Sequence, residues 1–503
     1  MMTRRDILLS ANALIVLLAY LLPEWAAFAR SEVFVFVNGW DEETYLSWQG
    51  VLGSRNDLGY FVLHLYGLLH EAGLSGAMQN LLSDTLFPLL TVLLVAQSFR
   101  LRGVEAVRAF AYAVLVLFSS TLFNYANPVI KDLLGEYDGT AFLMAGWELY
   151  PSLLRTPNPQ LSYFLLALAV YAWLKWRRFW LLLLPLPLLY YFVAVPYAFL
   201  IAVGVALPVV RRILPLPAWK ATAVSAVAVY VLMALGAVGL FTFAGYYDPD
   251  NWVVKNAWVF AQTRMPQLPL VLLFVLPVVL LLRRFDQLDA GRSQGRNLLV
   301  LLLAAVAAVN LHVVTGFMLS QKNYYDYGLS ILFGLMLVVV LEWMKSRRSA
   351  DWALVVLLAI TAIPTLASHL YFYHRSTAIS AKAAPFISEV RRDPLHAVIP
   401  DLDVSSRMAY STARLLAPPF SYQYYFPFIE KQCRYYPELL SAGLSQARQG
   451  LATREGLLGR LESTSANIRR GQIESRAVAY KILPYCTPEA YQPDDFKLLG
   501  IDP

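Results

Sequence analysis

The chain has 503 residues, of which 58% are hydrophobic and only 15% charged, with a mean hydropathy of +0.51. A soluble chain carries about a quarter of its residues charged to cover its surface. This composition therefore excludes a soluble enzyme and a disordered chain, and a count of 2 cysteines excludes a disulfide-stapled mini-domain.

Apolar runs of about 15 to 25 residues, the length that crosses a ~30 Å hydrocarbon core as a helix, recur through the first three-quarters of the chain. About eleven are expected, at 7–29, 80–99, 105–124, 159–174, 179–194, 196–210, 220–243, 267–282, 297–317, 327–344 and 352–372. The fifth and sixth share one stretch broken by Pro185, Pro187 and Pro196, which reads either as two short spans or as a re-entrant hairpin. The fold class is an all-α polytopic membrane protein: a transmembrane domain over 1–372 with outward loops 30–79 and 125–158, then a small soluble domain over 373–503.

The net charge of +7 sits in clusters between the spans, so it reads as membrane orientation rather than as a nucleic-acid footprint. Arg4 and Arg5, Arg100 and Arg102, Lys175 with Arg177 and Arg178, Arg211 and Arg212, Arg283 and Arg284, and Lys345 with Arg347 and Arg348 all fall on one face. Short loops rich in Lys and Arg stay cytoplasmic. The opposite loops carry Asp41, Glu42, Glu43, Asp132, Glu136, Asp138, Asp248 and Asp250 and are expected outside. The first span runs into an acidic loop without a small-residue cleavage site, so it is expected to be an uncleaved anchor. An odd number of crossings places the C-terminal domain outside, where Cys433 and Cys486 are either a disulfide or two separate thiols. No Asn-x-Ser/Thr sequence occurs, which favours a bacterial or archaeal inner membrane.

Phosphate-loop, nucleophile-elbow, HExxH and CxxC patterns are absent, which argues against nucleotide hydrolysis on this chain. His64 and His70 are six residues apart and point to different helix faces instead of converging on a metal. The most pointed segment is the first outward loop, Asn38-Gly39-Trp40-Asp41-Glu42-Glu43-Thr44-Tyr45-Leu46. Its three consecutive acids lie beside aromatics that prefer the headgroup layer, and the apolar stretch 58–71 reads as an interfacial helix that holds the loop against lipid. The plain alternative is a solvated acidic loop.

An acid pair just beyond the first span, about eleven crossings, a large second outward loop and an outward C-terminal domain together resemble the C-type (GT-C) superfamily of integral membrane glycosyltransferases. The resemblance implies a polyprenyl-phosphate-linked sugar donor, transfer on the periplasmic face to a glycan, lipid or protein acceptor, and a role in a cell-envelope glycan at the inner membrane. By position it implies Asp41 as catalytic base, with Glu42 its neighbour or substitute.

Residue chemistry agrees: glycosyl transfer needs a carboxylate to take the acceptor proton and cations to stabilise the departing phosphate. Arg155, in Leu154-Arg155-Thr156-Pro157-Asn158-Pro159-Gln160, has the planar fork for that phosphate; otherwise it anchors a helix end to headgroups. Lys322 is the second cation, in the loop running from Thr315 to Tyr327. That loop resembles the family's late outward loop, except that the usual His after the Gln is replaced by Lys322 or Asn323. Tyr45, His312, Gln321, Tyr324 and Tyr325 are the substrate-lining candidates. For Tyr324, Tyr325 and Tyr327 an interfacial aromatic belt is the simpler expectation, and for His312 a packed helix-end histidine. Tyr60, Trp147, Tyr246 and Trp252 have the same two readings. No metal ligand set is evident, although Asp132, Glu136 and Asp138 could take a divalent cation. A transporter or flippase is the rival from a different class, disfavoured by spans with nearly uncharged centres. An O-antigen-type polymerase or ligase is the third reading.

Overall fold

The computed structural model describes residues 3–30, 68–69, 72–74, 76–133, 159–248, 261–262, 264–267, 292–318, 324–344 and 349–383, with side chains of 120–133 and of several positions near the ends of these stretches excluded. Its helices are α1 (Arg4–Arg30), α2 (Gly76–Leu101), α3 (Ala106–Leu133), α4 (Gln160–Trp176), α5 (Tyr191–Ile213), α6 (Ala218–Phe243), α7 (Arg292–Thr315), α8 (Ser330–Met344) and α9 (Ser349–Ala383). A two-residue antiparallel pair, β1 (Ala261–Gln262) with β2 (Phe317–Met318), is the strand content of the described residues. Among the described residues, seven helices are long and apolar enough to cross a membrane. The protein is a multi-pass helical membrane protein.

The chain divides into two compact units, one of residues 1–23 and 83–371, the other of residues 24–82 and 372–503. In the first, α8 packs most extensively on α3, and α7 packs on α6 and α5. Small residues set the α3–α8 distance, because a Cβ on Gly334 would stand 2.7 Å from both the Cα and the carbonyl oxygen of Val116. Close backbone approach of this kind is how helices associate where apolar burial supplies no net drive. In the second unit, the Arg30 guanidinium donates to the Tyr373 hydroxyl at 2.6 Å.

Charged contacts gather at one end of the first unit. Arg5 reaches Glu105 at 2.9 Å and Asp351 at 3.5 Å, Arg108 pairs with Asp351, and Tyr112 donates to Glu342 at 2.9 Å. These groups tie the start of α1, the α2–α3 turn, the end of α8 and the start of α9 together. Arg102 lies 6.0 Å over the Trp173 ring, which brings the end of α4 to the same end. Three of the expected basic clusters, around Arg5, Arg102 and Lys175, therefore share one end of the unit.

The proline-broken stretch resolves into unequal parts. The Tyr190 N–H donates to Ser162 Oγ at 2.7 Å, so by Tyr190 the chain is level with the start of α4 again. The return is made by short 3₁₀ turns, Phe179–Leu182 and Leu186–Leu188, and α5 begins only at Tyr191, with Pro196 inside it. The expected break at Pro196 is thus replaced by one at Leu189–Tyr190. Pro185 and Pro187 lack the N–H that a regular helix needs; Pro196 gives up one backbone bond as well, yet α5 runs through it.

Arg177 closes α4 with φ 58° and its N–H on the Trp173 carbonyl at 2.7 Å. It is the one non-glycine residue with positive φ among the described residues, a conformation that costs an L-residue on the order of 1 kcal/mol.

Candidate functional site

Opposite the charged end, the C-terminus of α7 is strapped by the segment 264–267. Asn310 Nδ2 donates to the Gln267 carbonyl at 2.8 Å, and the Gln267 N–H donates to Asn310 Oδ1 at 2.7 Å. Two residues on, His312 Nε2 donates to the Met265 carbonyl at 2.8 Å, which fixes the proton on that nitrogen. Arg264 then caps the helix, its Nη1 donating to the Val313 and Val314 carbonyls at 3.1 and 2.5 Å. A cation suits the negative end of the helix dipole. Gly316, with φ +83°, makes the turn that follows. A side chain there would meet Arg264 Nη2 at 3.2 Å, so the glycine leaves the guanidinium room to lie flat over the turn.

At this end of α7 lies a cavity of about 10 Å³ lined by His312, Thr315, Tyr191, Tyr324, Phe241 and Phe317. That is roughly the space for one water molecule and too little for a sugar ring. Edge-to-face aromatic contacts build its walls: Phe192 on Tyr324 at 4.9 Å and Phe241 on Phe317 at 5.9 Å. Tyr324 begins a π-helical turn, Tyr324–Leu329, pressed on α5 where a Cβ on Gly328 would stand 2.5 Å from the Phe192 carbonyl oxygen. Tyr324 starts the turn leading into α8 and Glu342 lies in the last turn of that helix, so the length of α8, about 20 Å, separates cavity and ion cluster.

Of the residues expected from sequence, His312 and Tyr324 come together on this cavity. His312 is buried at 3% exposure. Tyr324 and Tyr327 are 5% and 7% exposed, which corrects the aromatic-belt expectation for these two: they pack inside the bundle, on α5 and α4, rather than on lipid. Tyr246 is half-buried against Phe241 and Phe317. Asp41, Glu42, Tyr45, Arg155, Gln321, Lys322, Cys433 and Cys486, like His64, His70, Tyr60, Trp147 and Trp252, lie outside the described residues, as do the side chains of Tyr325 and Asp132. Sequence reasoning missed Arg264 because it belongs to no basic cluster; the signal that could have found it is Pro266, two residues on, which marks a turn.

A second polar group is buried within the spans. Gln160, the first residue of α4, donates from Nε2 to Asp84 Oδ1 at 2.7 Å, and the Tyr20 hydroxyl donates to the Asp84 carbonyl at 2.9 Å. Gln160 and Tyr20 are fully buried and Asp84 is 1% exposed. The Tyr20 ring stands 5.3 Å from that of buried His369. Asp84 in α2 and Glu24 in α1 are buried acids that lie away from the centres of their spans. A hydropathy window averages one acid away, yet Asp84, Thr91 and Ser98 recur at seven-residue spacing and are all buried, a polar stripe on the inner face of α2 that could have been read.

Among the described residues no group of three His, Cys, Asp or Glu side chains is placed to hold a metal ion. Comparison of the chain with protein-family models, with curated proteins and with solved structures finds no match.

Proposed function

We propose that this integral membrane protein is a glycosyltransferase that moves a sugar from a polyprenyl-phosphate donor to a glycan, lipid or protein acceptor on the face opposite its basic clusters. In this reading Asp41 takes the acceptor proton, with Glu42 beside it, and Arg155 and Lys322 hold the departing phosphate. The observation that supports it most is the convergence of His312, Thr315, Tyr191 and Tyr324 at the end of α7 that Arg264 caps, away from the basic clusters. Aromatic and hydroxyl-bearing walls beside a cation suit a sugar phosphate at headgroup depth. The cavity is the floor of such a site; the sugar itself needs space above it.

The deciding experiment is Asp41→Asn in proteoliposomes supplied with polyprenyl-phosphate sugars. Loss of a general base is expected to lower transfer by about 10²- to 10⁴-fold with the unfolding midpoint unchanged. Transfer at the original rate would overturn the assignment.

A transporter is the second reading, favoured by one observation: buried Asp84 inside a span, since intramembrane acids commonly line solute or proton paths. A transporter would lose lipid-linked sugar movement across vesicles on Asp84→Asn and keep it on Asp41→Asn; the glycosyltransferase reading expects transfer chemistry to fail on Asp41→Asn.

A further inference from the structure

The cations at the basic end fall into two sets. Arg5 of α1 and Arg108 of α3 are matched: the ion pairs among the described residues engage these two with Asp6, Glu105 and Asp351. Those at the ends of α2 and α4, namely Arg100, Arg102, Lys175, Arg177 and Arg178, have no carboxylate partner among the described residues, and all five are exposed. The two helix ends form one patch because Arg102 lies over Trp173, while Lys175 lies 5.6 Å from the rings of both Tyr171 and Trp176. Below the cations the surface turns apolar at once, with Trp176, Phe179, Trp180, Leu183 and Leu184 between 42% and 58% exposed.

We propose that this patch binds the headgroup of an anionic phospholipid, with the phosphate between the α2–α3 turn and the end of α4 and the acyl chains along the 3₁₀ turns. Charge complementarity selects an anion. The exposed tryptophans mark the headgroup level, and the apolar wall directly beneath them fits acyl chains, which a free phosphate lacks. The backbone at Arg177 supports the same assignment. A left-handed helix end is the position where glycine is least strained, and here it carries a cation whose turn leaves Arg177 and Arg178 adjacent at the surface. The inference is independent of the glycosyltransferase reading.

The test uses the full-length protein in detergent or nanodiscs with phosphatidylglycerol or cardiolipin titrated against phosphatidylcholine, read by retained lipid in native mass spectrometry and by the unfolding midpoint. Anionic lipid is expected to be retained and to raise the midpoint. Each cation near an anionic headgroup is worth roughly fivefold in affinity, so Arg177→Gly with Arg178→Gln is expected to weaken retention about 25-fold. Arg177→Gly relieves the left-handed backbone, so stability without lipid is expected to hold while binding falls, a split that a purely structural role would not produce. Should that pair fail to fold, Arg102→Gln leaves α4 intact and is expected to lose about fivefold. Arg211→Gln with Arg212→Gln is expected to keep retention within about twofold, since one site and not the total charge is responsible. Equal retention of phosphatidylcholine, equal losses in both double variants, or displacement of lipid by equimolar pyrophosphate would overturn the proposal.

Discussion

The Gln160 amide donates to the Asp84 carboxylate at 2.7 Å with both side chains sealed from solvent. Gln160 follows Pro159, which occupies the N-cap of α4 without a side-chain cap, so this bond is what ties the start of α4 to α2. Replacing Gln160 with Leu withdraws a donor from a buried acid. It is expected to destabilise the protein by about 1–3 kcal/mol, whereas Gln160→Asn or Asp84→Asn retains polar pairing and costs less. Thermal unfolding in a single detergent, followed by tryptophan fluorescence, compares the three.

At the charged end, Asp351 is shared by Arg5 and Arg108, with the Arg108 and Asp351 side chains 12% and 21% exposed. Such partial burial puts the pair between exposed and buried cases, so Asp351→Asn is expected to cost about 1–2 kcal/mol. Glu105 is 55% exposed, and Glu105→Gln is expected to cost less than about 0.5 kcal/mol. Exchanging the partners, Arg108→Asp with Asp351→Arg, should recover part of the loss. A double-mutant cycle on unfolding midpoints reads the coupling, and additive single effects would show that the contact contributes nothing.

Two glycines separate packing from backbone entropy. Gly334 faces Val116 with no room for a Cβ, while Gly236 on α6 has nothing within 4 Å. Gly334→Ala is expected to destabilise by about 1–3 kcal/mol through overpacking of α3 on α8. Gly236→Ala is expected to be neutral or to stabilise by up to about 1 kcal/mol, because alanine is the better helix former. Opposite signs in parallel denaturation experiments are the expected outcome.

If the cavity at the end of α7 is the floor of the donor site, Tyr324→Phe is expected to lower kcat/KM by roughly tenfold, equal to about 1.4 kcal/mol of transition-state stabilisation. Steady-state transfer kinetics with a polyprenyl-phosphate sugar measure this. His312→Ala is expected to do more, since it also releases the Met265 carbonyl and with it the strap over α7. An unchanged kcat/KM in Tyr324→Phe would separate the cavity from the chemistry.

The long spans were legible because length and apolarity alone define a helix that crosses lipid. The expected 220–243 is Ala218–Phe243, and the expected 7–29 lies within Arg4–Arg30. The stretch 179–210 was legible only as something broken, since composition does not say which prolines lie inside a helix, as Pro196 does, and which lie between helices, as Pro185 and Pro187 do. Burial was less legible still. Tyr324 and Tyr327 have the composition of belt residues, and only their contacts with Phe192 and the bond from Tyr163 to the Tyr327 carbonyl at 2.8 Å distinguish a tyrosine packed inward from one facing lipid. Asp41, Glu42, Arg155 and Lys322 rest on sequence reasoning alone.

The brief return from α4 to α5 also bears on how the chain enters the bilayer. Phe179–Leu188 amounts to about 20 Å at 3₁₀ rise, short of what the insertion machinery accepts as a span in its own right. Tyr197, on α5, bonds the Leu182 carbonyl at 2.9 Å and so shields a peptide group that would otherwise meet lipid bare. The return segment therefore depends on α5 for its cover, and a chain that ends before Tyr197 lacks the hydroxyl that satisfies the Leu182 carbonyl.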